Sequence, residues 1–169
     1  MSNNDIQQQT TVNIQEKANL IWAIADKLVG VYKPHEYGNV ILPMCVIKRF
    51  EDTLAPTKEK VLATNEKLDK DGIVVKKGFL ESAAEQKFYN LSPFDFQKLL
   101  NDPENIKVNF ESYLNHFSDN VIDIIHRMDF DREIEKMADN GVLYLVIKEF
   151  CTPKAYLGAD QITSVDMGY

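Results

Sequence analysis

Glycine is sparse in this chain. The seven glycines are scattered and no G-x-G pair occurs, so neither a dinucleotide-binding turn nor a phosphate-cradling loop is available. Arginine is scarcer still: only Arg49, Arg127 and Arg132 represent it, against a net charge of −7. Neutralising phosphates takes clustered Lys and Arg, so this balance argues against a free-standing nucleic-acid binder; if the chain meets DNA, it does so with help. The two cysteines, Cys45 and Cys151, lie in apolar runs without metal-type spacing and read as buried, reduced thiols of a cytoplasmic protein. His35, His116 and His126 form no i, i+4 pair suited to zinc, and His116 and His126 read as ordinary helix residues rather than acid–base groups. Asp129, Asp131 and Glu133 alternate as calcium-loop ligands do, but the sixth position lacks glycine and the twelfth is Asn140, leaving a solvated acidic turn. The polar start MSNNDIQQQTT holds no apolar h-region, so a secretory signal is not expected and the address is cytoplasmic. No catalytic constellation emerges, and the chain does not read as a complete enzyme.

What is there is ordinary globular material, 44% hydrophobic and 27% charged over 169 residues. That length suits one domain burying roughly 70% of its unfolded surface. The densest patterning runs from Leu20 to Leu54. Leu20, Ile21, Ile24 and Leu28 recur at spacings of three and four, Gly30 ends that helix, and Pro34 suits the first turn of another. The second helix carries Tyr37, Val40, Ile41, Met44, Ile47, Phe50 and Leu54. Between Val40 and Ile47 nearly every residue is apolar, too short a run to span a membrane, so it reads as the central helix of a bundle, buried all round. Pro43 predicts a kink or local break there.

In order along the chain, residues 1–12 are Asn/Gln/Thr-rich and are expected to be a flexible lead-in, with Asn13 and Glu16 opening the first helix as a variant capping box. Pro56 begins a charged third helix with Val61, Leu62 and Leu68 on a thin apolar edge. Asp71-Gly72 marks a turn, and Ile73-Val74-Val75 is a brief extended piece or a partner-facing loop. A short helix follows from Phe79, then a proline-broken aromatic loop, Phe88 to Phe94, packed on a core. Asp95 to Leu100 makes one or two turns. Ile106, Phe110, Tyr113, Leu114 and Phe117 form one helical stripe, and Ser118 caps a helix bearing Val121, Ile124, Ile125 and Met128. Ile134 and Met137 mark a further helix ended by Gly141, and Val142 to Phe150 another. No stretch sustains an alternation of period two, and no internal repeat is visible. The predicted fold is all-α, an irregular multi-helix bundle.

Two basic spots stand out. Lys33 and His35 near the helix turn, with Lys48 and Arg49 at the exit of the central helix, are candidate DNA contacts; the alternative is that Lys48 and Arg49 are paired with Glu51 and Asp52 on a solvated surface. Lys76 and Lys77 are candidate phosphate contacts, set against simple solvation.

Longer combinations resemble a known family. Trp22 with Ala25-Asp26-Lys27-Leu28 and Gly30, Glu36-Tyr37, Val40-Ile41-Leu42-Pro43 and Ile47-Lys48-Arg49-Phe50 resemble the start of the modification (M) subunits of type I restriction-modification systems. So do Phe88-Tyr89-Asn90, Leu99-Leu100 with Asp102-Pro103 and Asn105-Ile106, and Phe117-Ser118 with Asn120-Val121 and Ile124-Ile125. Ser164 to Tyr169 resembles the family's lead into its catalytic domain. The resemblance implies a helical N-terminal domain over residues 13–159, with 160–169 starting the linker to a methyltransferase domain. It further implies that the parent subunit is a DNA adenine-N6 methyltransferase using S-adenosylmethionine, and that the helical domain aids assembly and closure around double-stranded DNA with a specificity (S) subunit, a second M subunit and a restriction (R) subunit. Neither the cofactor glycine motif nor an Asn/Asp-Pro-Pro-aromatic motif occurs here, so no catalytic, cofactor-binding or metal-binding residue is carried over. The chain is expected to be the N-terminal piece of such a subunit, without S-adenosylmethionine of its own. The alternative is a purely structural protein–protein interaction module without DNA contact.

Overall fold

A computed structural model describes residues 3–155. Helix α1 (Asn3–Leu28) opens the chain. It starts well before the expected cap at Asn13, because nothing between Asn3 and Leu28 breaks a helix: the stretch has neither proline nor glycine, and glutamine is a good helix former. Leu20, Ile24 and Leu28 face the core as expected. Ile21 does not; it is 44% exposed, beside Trp22 at 74%.

Gly30, at φ +86°, turns the chain after α1. Pro34 opens a single 3₁₀ turn, Pro34–Glu36, rather than the next helix itself, and α2 (Gly38–Leu54) follows. Its stripe of Val40, Ile41, Met44, Ile47 and Leu54 is buried. Leu42 is 62% exposed, so α2 is not buried all round; it keeps one face open. The helix runs unbroken through buried Pro43. A proline near the start of a helix removes only one interior hydrogen bond, with the acceptor Asn39 in the first turn.

A 3₁₀ turn at Ala55–Thr57 leads into α3 (Lys58–Lys70), which pairs with α4 (Lys77–Ala84) as a helical hairpin. Thr57 closes the base of this hairpin by donating its hydroxyl to the Ala84 carbonyl at 3.2 Å. The turn at Asp71-Gly72 forms, with Gly72 at φ +72°. Ile73 to Val75 form no strand, and Val74 and Val75 stand exposed at the hairpin tip. Helix α4 ends on Glu85 in the left-handed region.

Residues 86–95 cross the core as a loop. The loop bonds to the end of α6 (Ile106–Asn115): Leu91 N–H donates to the His116 carbonyl at 2.9 Å and Ser118 N–H to the Tyr89 carbonyl at 2.8 Å. The short α5 (Phe96–Leu99) is capped by the Asp95 carboxylate, which accepts from Lys98 N–H. The α6 stripe of Ile106, Phe110, Tyr113 and Leu114, continued by Phe117, is buried as its spacing predicts. Helices α7 (Asp119–Arg127), α8 (Asp131–Asp139) and α9 (Leu143–Glu149) complete the bundle, followed by a turn at Pro153–Ala155. On α7, Val121 and Ile125 are buried and Ile124 lies at the exposed margin. Helix α1 packs on α2, on α9 and on the closing turn, and α6 on α5, α8 and α9. Phe96 sits where they meet, edge-to-face with Phe110, Tyr113 and Phe150.

The architecture is the expected all-α bundle: among the described residues there is no strand, only isolated bridges at Val29–Tyr32 and Asn90–Phe117. No described helix is long and apolar enough to cross a membrane. The proposed linker, 160–169, lies outside the described residues.

Candidate functional site

The six basic residues singled out in the sequence occupy three separate places. Lys33 and His35 are exposed on the α1–α2 connector. Lys48 and Arg49 lie ten and more residues into α2, roughly 15 Å along its axis from Gly38 at the usual helical rise. Arg49 is half-buried. Lys48 is buried, only 7% exposed, and its ammonium meets Asp52 at 2.5 Å one turn on, over the Phe96 ring. Its charge is therefore answered inside the protein, because a lysine at this register of α2 points at the core and needs a carboxylate to be tolerated there. Lys76 pairs with Asp69 and donates to Asn65 at 3.1 Å. Lys77 reaches only loosely toward Glu81, at 3.9 Å, and stays exposed. Of the six, Lys33, His35 and Lys77 present themselves most openly to solvent.

The structure brings together a different set. The α2 register that buries Val40, Met44, Ile47 and Leu54 also aims Glu51 inward. Its carboxylate accepts from the Phe96 N–H at 2.8 Å, at the first residue of α5, and from the Tyr113 hydroxyl on α6. Lys58, the first residue of α3, approaches the same place from the other side. Its ammonium donates to Asn90 Oδ1 at 3.0 Å and the Phe94 carbonyl at 3.3 Å, above the Tyr113 ring. Asn90 holds the loop in place: its amide donates to the Tyr113 carbonyl at 3.0 Å while its oxygen also accepts from Ser92 N–H at 2.7 Å. These residues, with Asp52, Asp95 and Gln97, line a cavity of about 200 Å³.

Glu51 and Lys58 are bonded to neutral partners rather than to each other. Burial raises the Glu51 carboxyl to about 7, against the lowering pull of the nearby Lys48 ammonium and the Phe96 N–H. Burial lowers the Lys58 ammonium to about 8, with the Glu51 and Asp95 carboxylates acting the other way. Tyr113 is pushed well above the ordinary phenol value, first by burial and then by Glu51. Chemically the arrangement holds a carboxyl and an ammonium that change charge near neutrality, with spare lone pairs on Glu51 and a third N–H on Lys58.

The remaining chemistry-bearing residues are inert or dispersed. Burial raises Cys45 to about 12 and Cys151 to about 11, so both stay thiols. His116, just past the end of α6, and His126 on α7 are both exposed. Among the described residues no group of three or more His, Cys, Asp or Glu is placed to hold a metal ion. Asp129 pairs with Arg132 at 3.5 Å, and buried Glu133 with the same arginine at 3.6 Å.

Sequence reasoning places Glu51 only as a surface partner of Lys48 and gives Lys58, Asn90 and Asp95 no role. One signal is there: Glu51 occupies the 40, 44, 47, 51, 54 stripe of α2, and a polar residue on an otherwise apolar stripe asks for buried partners. The partners themselves are set by tertiary packing.

A family model described as the HsdM N-terminal domain matches residues 17–150, a span that takes in the whole Glu51–Lys58 cavity. No curated protein and no solved structure matches the chain.

Proposed function

The chain belongs to the HsdM N-terminal domain family, the N-terminal domain of the modification subunit of type I restriction-modification systems, and from that premise we propose that it aids subunit assembly and closure of the complex around double-stranded DNA. Its partners in this reading are the specificity subunit, a second modification subunit and the restriction subunit, in the cytoplasm. The site-specific adenine-N6 methylation belongs to a methyltransferase domain downstream in the same subunit, which supplies the S-adenosylmethionine site. The observation that carries the reading is the family match over most of the chain, joined to a compact all-α body that keeps its own polar chemistry internal.

The DNA-facing part of the proposal rests on Lys33, His35 and Lys77. In the assembled complex, Lys33→Glu with Lys77→Glu is expected to weaken DNA binding and to flatten its salt dependence by about one unit of slope for each phosphate no longer neutralised, leaving S-adenosylmethionine affinity unchanged. Unchanged slope and affinity would remove these lysines from the DNA interface.

A second reading, a protein–protein module without DNA contact, has an observation of its own. Trp22 is three-quarters exposed on α1, Ile14 and Ile21 of the same helix and Val29 just after it are exposed too, and exposed large apolar side chains suit a protein interface. Assembly with full strength and no salt-sensitive DNA contribution from this domain would favour it.

A further inference from the structure

The Glu51 cavity is one end of a longer depression. Through Glu51 and Gln97 it joins a second cavity of about 270 Å³ bordered by Lys48, Phe150 and Cys151. Through Thr152 and Pro153 that one joins a third, of about 390 Å³, against Leu20 and Ala23 of α1. Three cavities with shared walls make one groove from the outer flank of α1 to the Lys58 ammonium.

Its two ends differ in chemistry. The α1 end is lined by Leu20, Ala23 and Pro153 with Asn19, Glu149 and Thr152 beside them, and its mostly apolar wall accepts a small apolar side chain. Toward the other end stand Glu51, Asp52 and Asp95. The lysines there are committed elsewhere: Lys48 to Asp52, and Lys58 to the oxygens of Asn90 and Phe94. Glu51 is bonded to an amide N–H and a phenol. A half-buried carboxylate bonded only by neutral donors gains from a cation delivered to it, because the pair then offsets the burial cost of the charge.

We propose that this groove receives an extended segment of a partner subunit, with an apolar side chain at Leu20–Ala23 and an arginine or lysine at Glu51. Charge complementarity selects this occupant. The chain's own residues 156–169 contain Asp160 and Asp166 and neither lysine nor arginine, and a second copy of a chain carrying −7 brings the same sign of charge to a groove already acidic. The proposal rests on the assembly reading above and locates one contact of it.

The test places the photo-crosslinking residue p-benzoyl-phenylalanine at Gln97 or at Ala23 in the modification subunit, assembled with the purified specificity and restriction subunits, and identifies the cross-linked peptides by mass spectrometry. Both positions are expected to capture the same stretch of one partner, and that stretch contains Arg or Lys. Glu51→Gln, which keeps the shape and the acceptor, is expected to lower that partner's affinity roughly tenfold, the scale of one charge-assisted hydrogen bond. Normal assembly with cross-links only to residues 156–169, only to a second copy, or to nothing overturns the groove proposal and leaves the assembly reading standing. Failure of the unmodified subunits to assemble overturns both.

Discussion

Glu51 and Lys58 give the protein an unusual pH profile, and Glu51→Gln isolates half of it. Glu51 has its carboxyl raised from 4.5 to about 7 in the folded state. The folded chain then holds a proton that the unfolded chain releases, so stability falls as pH rises from about 4.5 to 7. At 1.36 kcal/mol per unit the full shift comes to about 3 kcal/mol; partial exposure of the group reduces it to about 2 kcal/mol. Lys58 works in the opposite direction. Its ammonium is lowered from 10.5 to about 8, the unfolded chain binds the extra proton, and stability recovers by a similar amount as pH rises from about 8 to 10.5. Stability from these two groups is therefore lowest between about pH 7 and 8, where many proteins are at their best. The groups facing Glu51 are Lys48 and Asp52 on its own helix, Lys58, Asp95, Tyr113, and Cys151 beyond α9. In the difference between wild type and Glu51→Gln, titrations remote from Glu51 largely cancel, whereas the Lys58 ammonium, which the Glu51 carboxylate holds up, is lowered further in the variant. Urea unfolding at pH 5, 6, 7.5 and 9 is expected to give near-equal midpoints at pH 5 and a variant more stable by about 2 kcal/mol at pH 7.5, with unchanged m-values. A variant whose midpoint tracks the wild type across that range would refute the account of Glu51 as a carboxyl whose charge is costly.

Lys48→Ala strips the ammonium from buried Asp52 and is expected to cost about 3 kcal/mol, the lower end for a broken buried pair because the Lys17 ammonium also acts on Asp52. Thermal melting should show this as a drop of about 10 °C, and Lys48→Met with Asp52→Leu should restore most of it; a midpoint unmoved by Lys48→Ala would place that lysine outside the core. Trp22→Ser is expected to change stability by no more than about 0.5 kcal/mol, since the side chain is mostly in water, while weakening assembly with the partner subunits; a large fall in melting temperature would show that α1 buries this face within the chain.

The parts of the fold that are legible in the sequence are those decided locally. The α6 stripe from Ile106 to Phe117, the Asp71-Gly72 turn and the Phe88–Phe94 loop each follow from spacing or from a residue with few conformational options, and each lies where expected. The misses share a cause. Periodicity shows that a helix has an apolar side without saying how wide the covered part is. On α1, Leu20, Ile24 and Leu28 are covered, whereas Ile21 and Trp22, next around the helix, are not. Lys48 reads as a surface cation because most lysines are, yet Asp52 one turn on and the Phe96 ring beneath make burial tolerable at that position. The Glu51–Lys58 cavity joins α2, the start of α3, the 86–95 loop and α6, a convergence that no local pattern encodes.

The way positive charge is distributed also bears on how an acidic domain serves a complex that binds DNA. Lys27, Lys48, Lys70, Lys76, Lys77, Lys107 and Lys136 each face a carboxylate of the same chain, at Glu149, Asp52, Glu66, Asp69, Glu81, Glu111 and Glu36. Affinity for DNA scales with the number of phosphates neutralised, and cations already answered within the chain must break those pairings before they neutralise any. A domain of this kind adds little attraction of its own. Its value in closing around DNA, on the assembly reading, comes from apolar and acidic surfaces that grip protein neighbours: the exposed apolar side chains about Trp22 on α1 and the groove that runs from Ala23 of α1 to Glu51 of α2. Both involve α1, so a partner held at both would contact two parts of the same helix, and Trp22→Ser and Glu51→Gln would then weaken assembly by more together than either does alone.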